Sequence, residues 1–332
     1  MSVAAWSCYK METLISHYLK EKERQYPEFT KLLESVRNEN PLQSKRLFAF
    51  TASQDDSYWS FCESLCDLFK RTVLNSDEKI KAAVRAYNEL CLRMLRDQIQ
   101  FKKTKVYPSA DAASALKEVY SNKDVMRSYM LGLLLTQMFW PNHYKLFRFF
   151  ESQIKYAQPK KYLEIGSGHG LFVAEALRQF PSLEVTICDI SETSLTMSRE
   201  ILNSFGAQSK IEFVHRDFLE FSYEKRDFDF VCLGEVLEHA DDAEGFLRCV
   251  LKVLSAKGHV YLSTCANCPA VDHVYHFHNV NEIRNLLRES GFIIDEEIFL
   301  PAEDVVPRDW EKELVTINYA VILRPRITRK NE

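Results

Sequence analysis

Gly234-Glu235-Val236-Leu237-Glu238-His239 puts two carboxylates and an imidazole within roughly one turn of chain. Residues of these types at this spacing can ligate a divalent cation, or let the imidazole move a proton beside a carboxylate. A second imidazole-rich stretch follows, Asp272-His273-Val274-Tyr275-His276-Phe277-His278. His276 and His278 alternate with Tyr275 and Phe277, so either one face of the segment points into a pocket or the whole is a half-exposed loop. Cys265-Ala266-Asn267-Cys268 is a C-x-x-C, but no second pair stands at zinc-ribbon spacing, so a structural zinc is not expected. The third chemical stretch is Lys161-Tyr162-Leu163-Glu164-Ile165-Gly166-Ser167-Gly168-His169-Gly170. An apolar run, three alternate glycines and a helical pattern opening at Ala174 make a strand, a tight turn and a helix. That unit aims backbone N–H groups and a positive dipole end at a ligand. Its third glycine comes one position too early for G-x-G-x-x-G, and Leu171 stands where that glycine would be. Asp189 follows at the end of the next apolar run, nineteen residues after Gly170, where a carboxylate can accept both ribose hydroxyls or simply cap a strand in solvent.

These groups need elements to hold them, and the glycines divide the chain that supplies those elements. None of the nine occurs before Gly132, and eight fall from Gly166 onward. The Gly-free part, with few prolines, predicts helices joined by short polar turns. Apolar residues recur at helical spacing in Leu14, Tyr18 and Leu19, in Phe61, Leu65, Leu68 and Phe69, and in Ala83, Ala86, Leu90 and Met94. Ser76 or Asp77 offers one N-cap and Ser121-Asn122-Lys123-Asp124 another. The helix after that second cap carries Met126, Tyr129, Met130, Leu133, Leu134 and Met138. Trp140-Pro141 breaks it, and a second helix runs over 144–156. This pair either packs on the sheet edge or forms a lid with Met and aromatic residues lining a pocket. From Lys161 strands and helices alternate, the mark of a parallel sheet with crossover helices. Strands are predicted at 183–188, 210–215, 228–233 and 258–264, with a closing pair at 292–298 and 316–323. The domains are then 1–120 helical, 121–158 a helical lid or linker, 159–324 the α/β domain, and 325–332 a basic tail.

The E-x-G-x-G-x-G pattern resembles motif I of the class I S-adenosylmethionine (SAM)-dependent methyltransferases, and Asp189 and Arg216-Asp217-Phe218 fall at matching strand ends. The resemblance covers roughly Tyr156 to Leu323. It implies an α/β, Rossmann-like class I methyltransferase fold with a seven-stranded, mostly parallel sheet behind the all-helical N-terminal domain, and SAM as cofactor. It implies cofactor contacts from Gly166, Ser167, Gly168 and Gly170, from Asp189 with Ile190, and from Gly234 and Glu235. Asp217 would take the adenine amino group and Phe218 pack on the ring. Glu164 would sit near the cofactor's amino group or orient the glycine loop. At E-x-x-E-H the chain resembles both the quinone-biosynthesis O-methyltransferases and the small-RNA terminal 2′-O-methyltransferases. Those resemblances imply a divalent metal on Glu235, Glu238 and His239, with His273 as fourth ligand. Without metal, His239 is a general base, with Glu238 and His273 serving the acceptor, or the L-E-H is a loop anchor only.

Composition narrows the rest. The net charge of −4 gives no pull toward nucleic acid or anionic membrane, and nine scattered cysteines fit reduced thiols in a cytoplasmic protein. No apolar run is long enough for a span, and no signal peptide is expected. Lys102-Lys103-Thr104-Lys105 and Arg324 to Lys330 are short basic clusters of the usual solvated kind. The glycine spacing argues against a nicotinamide dehydrogenase. The expected function is O- or C-methylation of a small-molecule metabolite with an acidic or metal-chelating O–H or C–H centre. RNA 2′-O-methylation is one rival, and a non-catalytic SAM-binding scaffold or regulator is the other. Nucleic acid is not an expected partner, and a homodimer through the N-terminal helices is.

Overall fold

The computed structural model describes residues 3–108, 111, 122–205, 210–221 and 227–326. The N-terminal half is helical: α1 (Val3–Glu23), α2 (Pro27–Glu39), α3 (Pro41–Ala52), α4 (Asp56–Arg71), α5 (Asp77–Thr104), α6 (Lys123–Phe139) and α7 (Pro141–Ala157). Local chemistry sets their ends. Asp55 accepts the Tyr58 amide at 3.0 Å, Ser76 the Lys79 amide at 3.3 Å and Asn122 the Val125 amide at 3.2 Å. Proline occupies the first helical position of α2, α3 and α7, where its missing N–H costs nothing, so α7 begins earlier than the pattern at 144 predicts. Ser121 of the predicted cap, and 327–332 of the basic tail, lie outside the described residues. Leu14 is 55% exposed and Ile15 takes the buried position instead, because α1 meets its neighbours one residue further round.

The sheet follows: β1 (Lys161–Ile165), α8 (Leu171–Gln179), β2 (Glu184–Asp189), α9 (Glu192–Leu202), β3 (Lys210–His215), β4 (Phe228–Gly234), α10 (Ala243–Val253), β5 (Leu254–Ala266), α11 (Val280–Glu289), β6 (Phe292–Pro301) and β7 (Ile317–Pro325). Strand order is β3-β2-β1-β4-β5-β7-β6, with β7 antiparallel to both its neighbours and the other described pairings parallel. The order reverses between β1 and β4, and ligands in such sheets bind at that crevice.

Strand periodicity explains which face each residue serves. Tyr162 stacks on Phe230 of β4 at 5.9 Å and belongs to the core under α7, while Leu163 points to the opposite core under α10 and α11. The first core does not stop at the sheet. Trp59, Phe69, Met138, Phe147, Phe150, Tyr162 and Tyr261 belong to one cluster of buried side chains reaching from the N-terminal helices to the sheet face. Buried hydrogen bonds stitch it, Tyr58 Oη to the Met138 carbonyl at 2.8 Å and Tyr261 Oη to the Leu146 carbonyl at 3.2 Å. Among the described residues no helix is long and apolar enough to cross a membrane.

Candidate active site

A cavity of about 1360 Å³ lies over the carboxyl ends of β1, β2 and β4. Its floor starts at the glycine turn. The Gly166 amide bonds the Cys188 carbonyl at 2.9 Å, which ties the turn to β2. Gly166 has φ +69°, and a Cβ there would lie 2.7 Å from Val236 Cγ2, so any side chain there would be strained and would push on Val236. Asp189 secures the turn from the next strand. Its Oδ2 accepts Ser167 Oγ and the Gly168 amide, each at 3.3 Å, and its Oδ1 accepts the Ser191 amide at 2.8 Å. Burial pushes the Asp189 carboxyl up, against the pull of these donors. Asp217 Oδ1 accepts the Leu219 amide at 2.9 Å. Ile190 and Leu219, 40% and 49% exposed, both line the cavity beside it.

Gly166, Ser167, Gly168, Asp189, Ile190, Asp217, Phe218, Gly234 and Glu235 all line this cavity, as do His239 and His273. Glu164, Gly170 and Glu238 do not. For Glu164 the reason is the period of the strand. Two residues from Tyr162 on β1, it shares that residue's face, is 1% exposed, and takes a hydrogen bond from Tyr162 Oη inside the core. Burial pushes its pKa up to about 8. Gly170, at φ +78°, instead starts α8 against Ser198.

On the other side of the cavity, Glu235 follows β4 with φ +54°, a costly conformation for a residue with a Cβ. Its Oε1 is buried with no hydrogen-bond partner among the described residues. Glu238, fully buried, accepts Thr264 Oγ1 at 2.8 Å, and its carbonyl accepts the amides of Val274 and Tyr275 at 2.9 Å. Burial raises both carboxyls, and Glu238 beside it raises Glu235 further. His239 Nδ1 donates to the Asp272 carbonyl at 2.7 Å, with Asp272 Oδ2 at 3.8 Å, so Nε2 carries the lone pair. His273 Nδ1 likewise lies 2.7 Å from the Cys268 carbonyl, and burial followed by His239 lowers its pKa to about 4. The two rings meet edge-on at 4.9 Å.

Donor atoms of Glu238, His239 and His273 come within 4.8 Å of one another, whereas Glu235 groups with Glu238 and Cys265. The four-residue set therefore divides in two. His276 bonds Asn267 Oδ1 at 2.9 Å and stacks on Tyr107, and His278 bonds Glu282, so the His-rich segment turns only Asp272 and His273 to the cavity. Sequence reasoning named Asp272 only as the start of the imidazole-rich stretch, and its Oδ1 also accepts Tyr129 Oη of α6 at 3.3 Å. It passed over Leu219, and over the cavity wall from α5 with Leu95 and Ile99, both about half exposed. The surplus of apolar residues on α5, more than one buried face needs, was the available signal. Met126, Tyr129 and Met130 of α6 line the cavity, and the helix packs on α5.

The sheet order, the glycine turn after β1 and the aspartate at the end of β2 are those of an α/β, class I methyltransferase fold. Residues 163–262 match the methyltransferase domain family. The ubiquinone/menaquinone biosynthesis C-methyltransferase UbiE of Idiomarina loihiensis is 27% identical over 124 residues, 36% of this chain and 49% of that protein. The ubiquinone biosynthesis O-methyltransferase of Aliivibrio fischeri is 29% identical over 106 residues, 32% of this chain and 44% of that protein. This chain thus spans about half the length of the curated relatives it matches. Among solved structures, the N-methyltransferase NodS of Bradyrhizobium japonicum in complex with S-adenosyl-L-homocysteine is similar at TM-score 0.48 and 16% identity, over 65% of this chain and 100% of that one.

Proposed function

We propose that this chain transfers the methyl group of SAM to an oxygen or carbon nucleophile of a small organic acceptor, with His239 as the proton acceptor. The observation that carries this reading is one cavity lined by both the cofactor-type residues and an imidazole whose Nδ1 proton is fixed on a carbonyl. The glycine turn, Asp189 and Asp217 hold the cofactor, and Ile190 and Leu219 supply apolar cover for a purine. Asp189 keeps acceptor capacity for ribose hydroxyls beyond the bonds it makes to the turn. Bound there, SAM supplies a methyl group already activated by its sulfonium, so the protein's tasks are positioning, exclusion of water and activation of the acceptor. His239 takes the acceptor's proton at Nε2, and the Asp272 carboxylate stabilises the imidazolium that forms.

The acceptor side is walled by Leu90, Met94, Leu95 and Ile99 of α5 and by Met126, Met130 and Leu133 of α6. Such walls suit an organic molecule. Seven acidic residues line the cavity, Asp189, Asp217, Glu235, Asp241, Asp242, Asp272 and Glu303, against three basic ones, Lys102, Lys145 and Arg216. That balance argues against a nucleic-acid backbone, which binds by neutralisation of phosphates. A metal on Glu238, His239 and His273 is the second reading, favoured by the convergence of those donors. Bound there it would lower the pKa of an acceptor hydroxyl. The departure of Glu235 from that group and of Glu238 from the cavity wall makes it the weaker one.

Isothermal titration of the full chain with SAM and with NAD⁺, before and after a chelator, tests this. SAM binding that survives chelation supports the reading; no SAM binding overturns it.

A further inference from the structure

A second group of donor atoms converges beside His239, at the back wall of the cavity. Cys265, Cys268 and His273 bring a donor atom each within 4.8 Å of one another, at C-x2-C-x4-H spacing. Glu238 joins from the neighbouring turn, since Cys265 belongs to one donor group with it and His273 to another. All four are buried, Glu238 at 0%, Cys265 at 1%, and Cys268 and His273 at 7% exposure. Cys265 Sγ lies 4.0 Å from Glu238 Oε1 and 3.8 Å from His273 Nδ1. Zinc bonds of about 2.3 Å to sulfur and about 2.0–2.2 Å to nitrogen or oxygen, at tetrahedral angles, put neighbouring ligands about 3.5 Å apart. Cys265 thus needs to close on Glu238 and His273 by only a few tenths of an ångström, and Cys268 closes on Cys265 and His273 from within 4.8 Å. Asn267, between the cysteines, is left-handed at φ +50°, and its turn brings Cys268 back toward Cys265. The amide of Cys268 is anchored to Tyr107 Oη at 2.9 Å, so the turn is held from the helical half as well.

We propose that Cys265, Cys268, His273 and Glu238 form a zinc site. Two thiolates, an imidazole and a carboxylate select a borderline-soft tetrahedral cation over magnesium or calcium. Ligation deprotonates the two thiols, and the protons leave to solvent as the cation enters. Ligation by His273 through Nδ1 shifts that nitrogen's proton to Nε2 and replaces its bond to the Cys268 carbonyl. The site takes no ligand from His239, and the segment it fixes, 265–273, carries the Asp272 that holds that imidazole. The zinc site is therefore positional, and it is independent of whether the protein transfers methyl groups.

The test is metal analysis of the purified full chain together with replacement of its metal by Co²⁺. About one zinc per chain is expected, and the cobalt form should show the thiolate-to-cobalt charge-transfer absorption of the near ultraviolet with the intense visible bands of tetrahedral geometry. Cys265→Ser with Cys268→Ser should lose the metal, whereas His239→Ala should keep it. Cobalt bound without a thiolate band, or a metal lost on His239→Ala and kept in the double serine variant, would overturn the proposal in favour of the carboxylate–imidazole cluster. Failure of the wild type to bind either metal would overturn it outright. If the double serine variant does not fold, the wild-type cobalt spectrum decides alone. SAM titration of the same samples reports separately on the methyl-transfer reading.

Discussion

Glu164→Gln separates what the placement of Glu164 implies from what the family pattern implies. The carboxyl is buried beside Tyr162 and Cys232, and burial lifts its pKa from 4.5 to about 8. Between those values the unfolded chain has lost the proton and the folded chain still holds it. Stability is therefore highest below the unfolded value and falls as pH rises, by about 1.4 kcal/mol per unit. Over the full interval that amounts to roughly 5 kcal/mol. Glutamine keeps an acceptor oxygen for Tyr162 Oη and has no proton to lose. Whatever constant penalty its amide brings, the stability of the variant relative to wild type should climb by about 1.4 kcal/mol per unit from pH 5 to 8. Urea unfolding of both proteins at pH 5.5, 6.5 and 7.5 measures it. Parallel stability curves would refute the burial argument. Since Glu164 does not line the cavity, SAM affinity should change by less than about twofold. A loss of tenfold or more, about 1.4 kcal/mol, would put the carboxylate on the cofactor after all.

Two further perturbations read other parts of the molecule. His239→Ala should lower kcat by about 10²–10⁴-fold and leave the SAM dissociation constant unchanged, as seen by titration beside single-turnover kinetics. An equal loss of SAM affinity would show His239 to be part of the cofactor's own site. Gly170→Ala forces a Cβ to within 3.0 Å of Ser198 at φ +78°, and should cost about 1–3 kcal/mol in urea unfolding at constant pH. An unchanged midpoint would mean that α9, which carries Ser198, gives way freely.

The strands were legible because each carries a short apolar run bounded by polar turns, and β3 runs over Lys210–His215 as its pattern predicts. β5 begins earlier than its pattern at 258 because residues from Leu254 pair with β4 across a bulge between Phe228 and Phe230, which no periodicity announces. The cavity wall at the ends of β1 and β2 was legible for a similar reason, since spacing along those strands fixes which residues reach their ends. Glu164 shows the limit of motif reading: the pattern places it in the glycine stretch, and the two-residue period turns it away. The acceptor side was only partly legible because its geometry is made by contacts distant in sequence. Tyr129 reaches Asp272 across 143 residues and Tyr107 reaches Cys268 across 161. The C-x-x-C shows the same limit, because its third donor, His273, counts only once the loop has folded back.

The single core shared by the helices and the sheet has a consequence for synthesis. The helices leave the ribosome first, yet the strands that cover their apolar face follow much later. Gln98 of α5 bonds the Leu314 carbonyl 216 residues downstream. At elongation rates of about 5–20 residues per second, α5 waits roughly 10–40 s for that partner. The cavity itself is complete only when the last strands arrive, since Pro301, Ala302, Glu303, Thr316 and Asn318 help to line it.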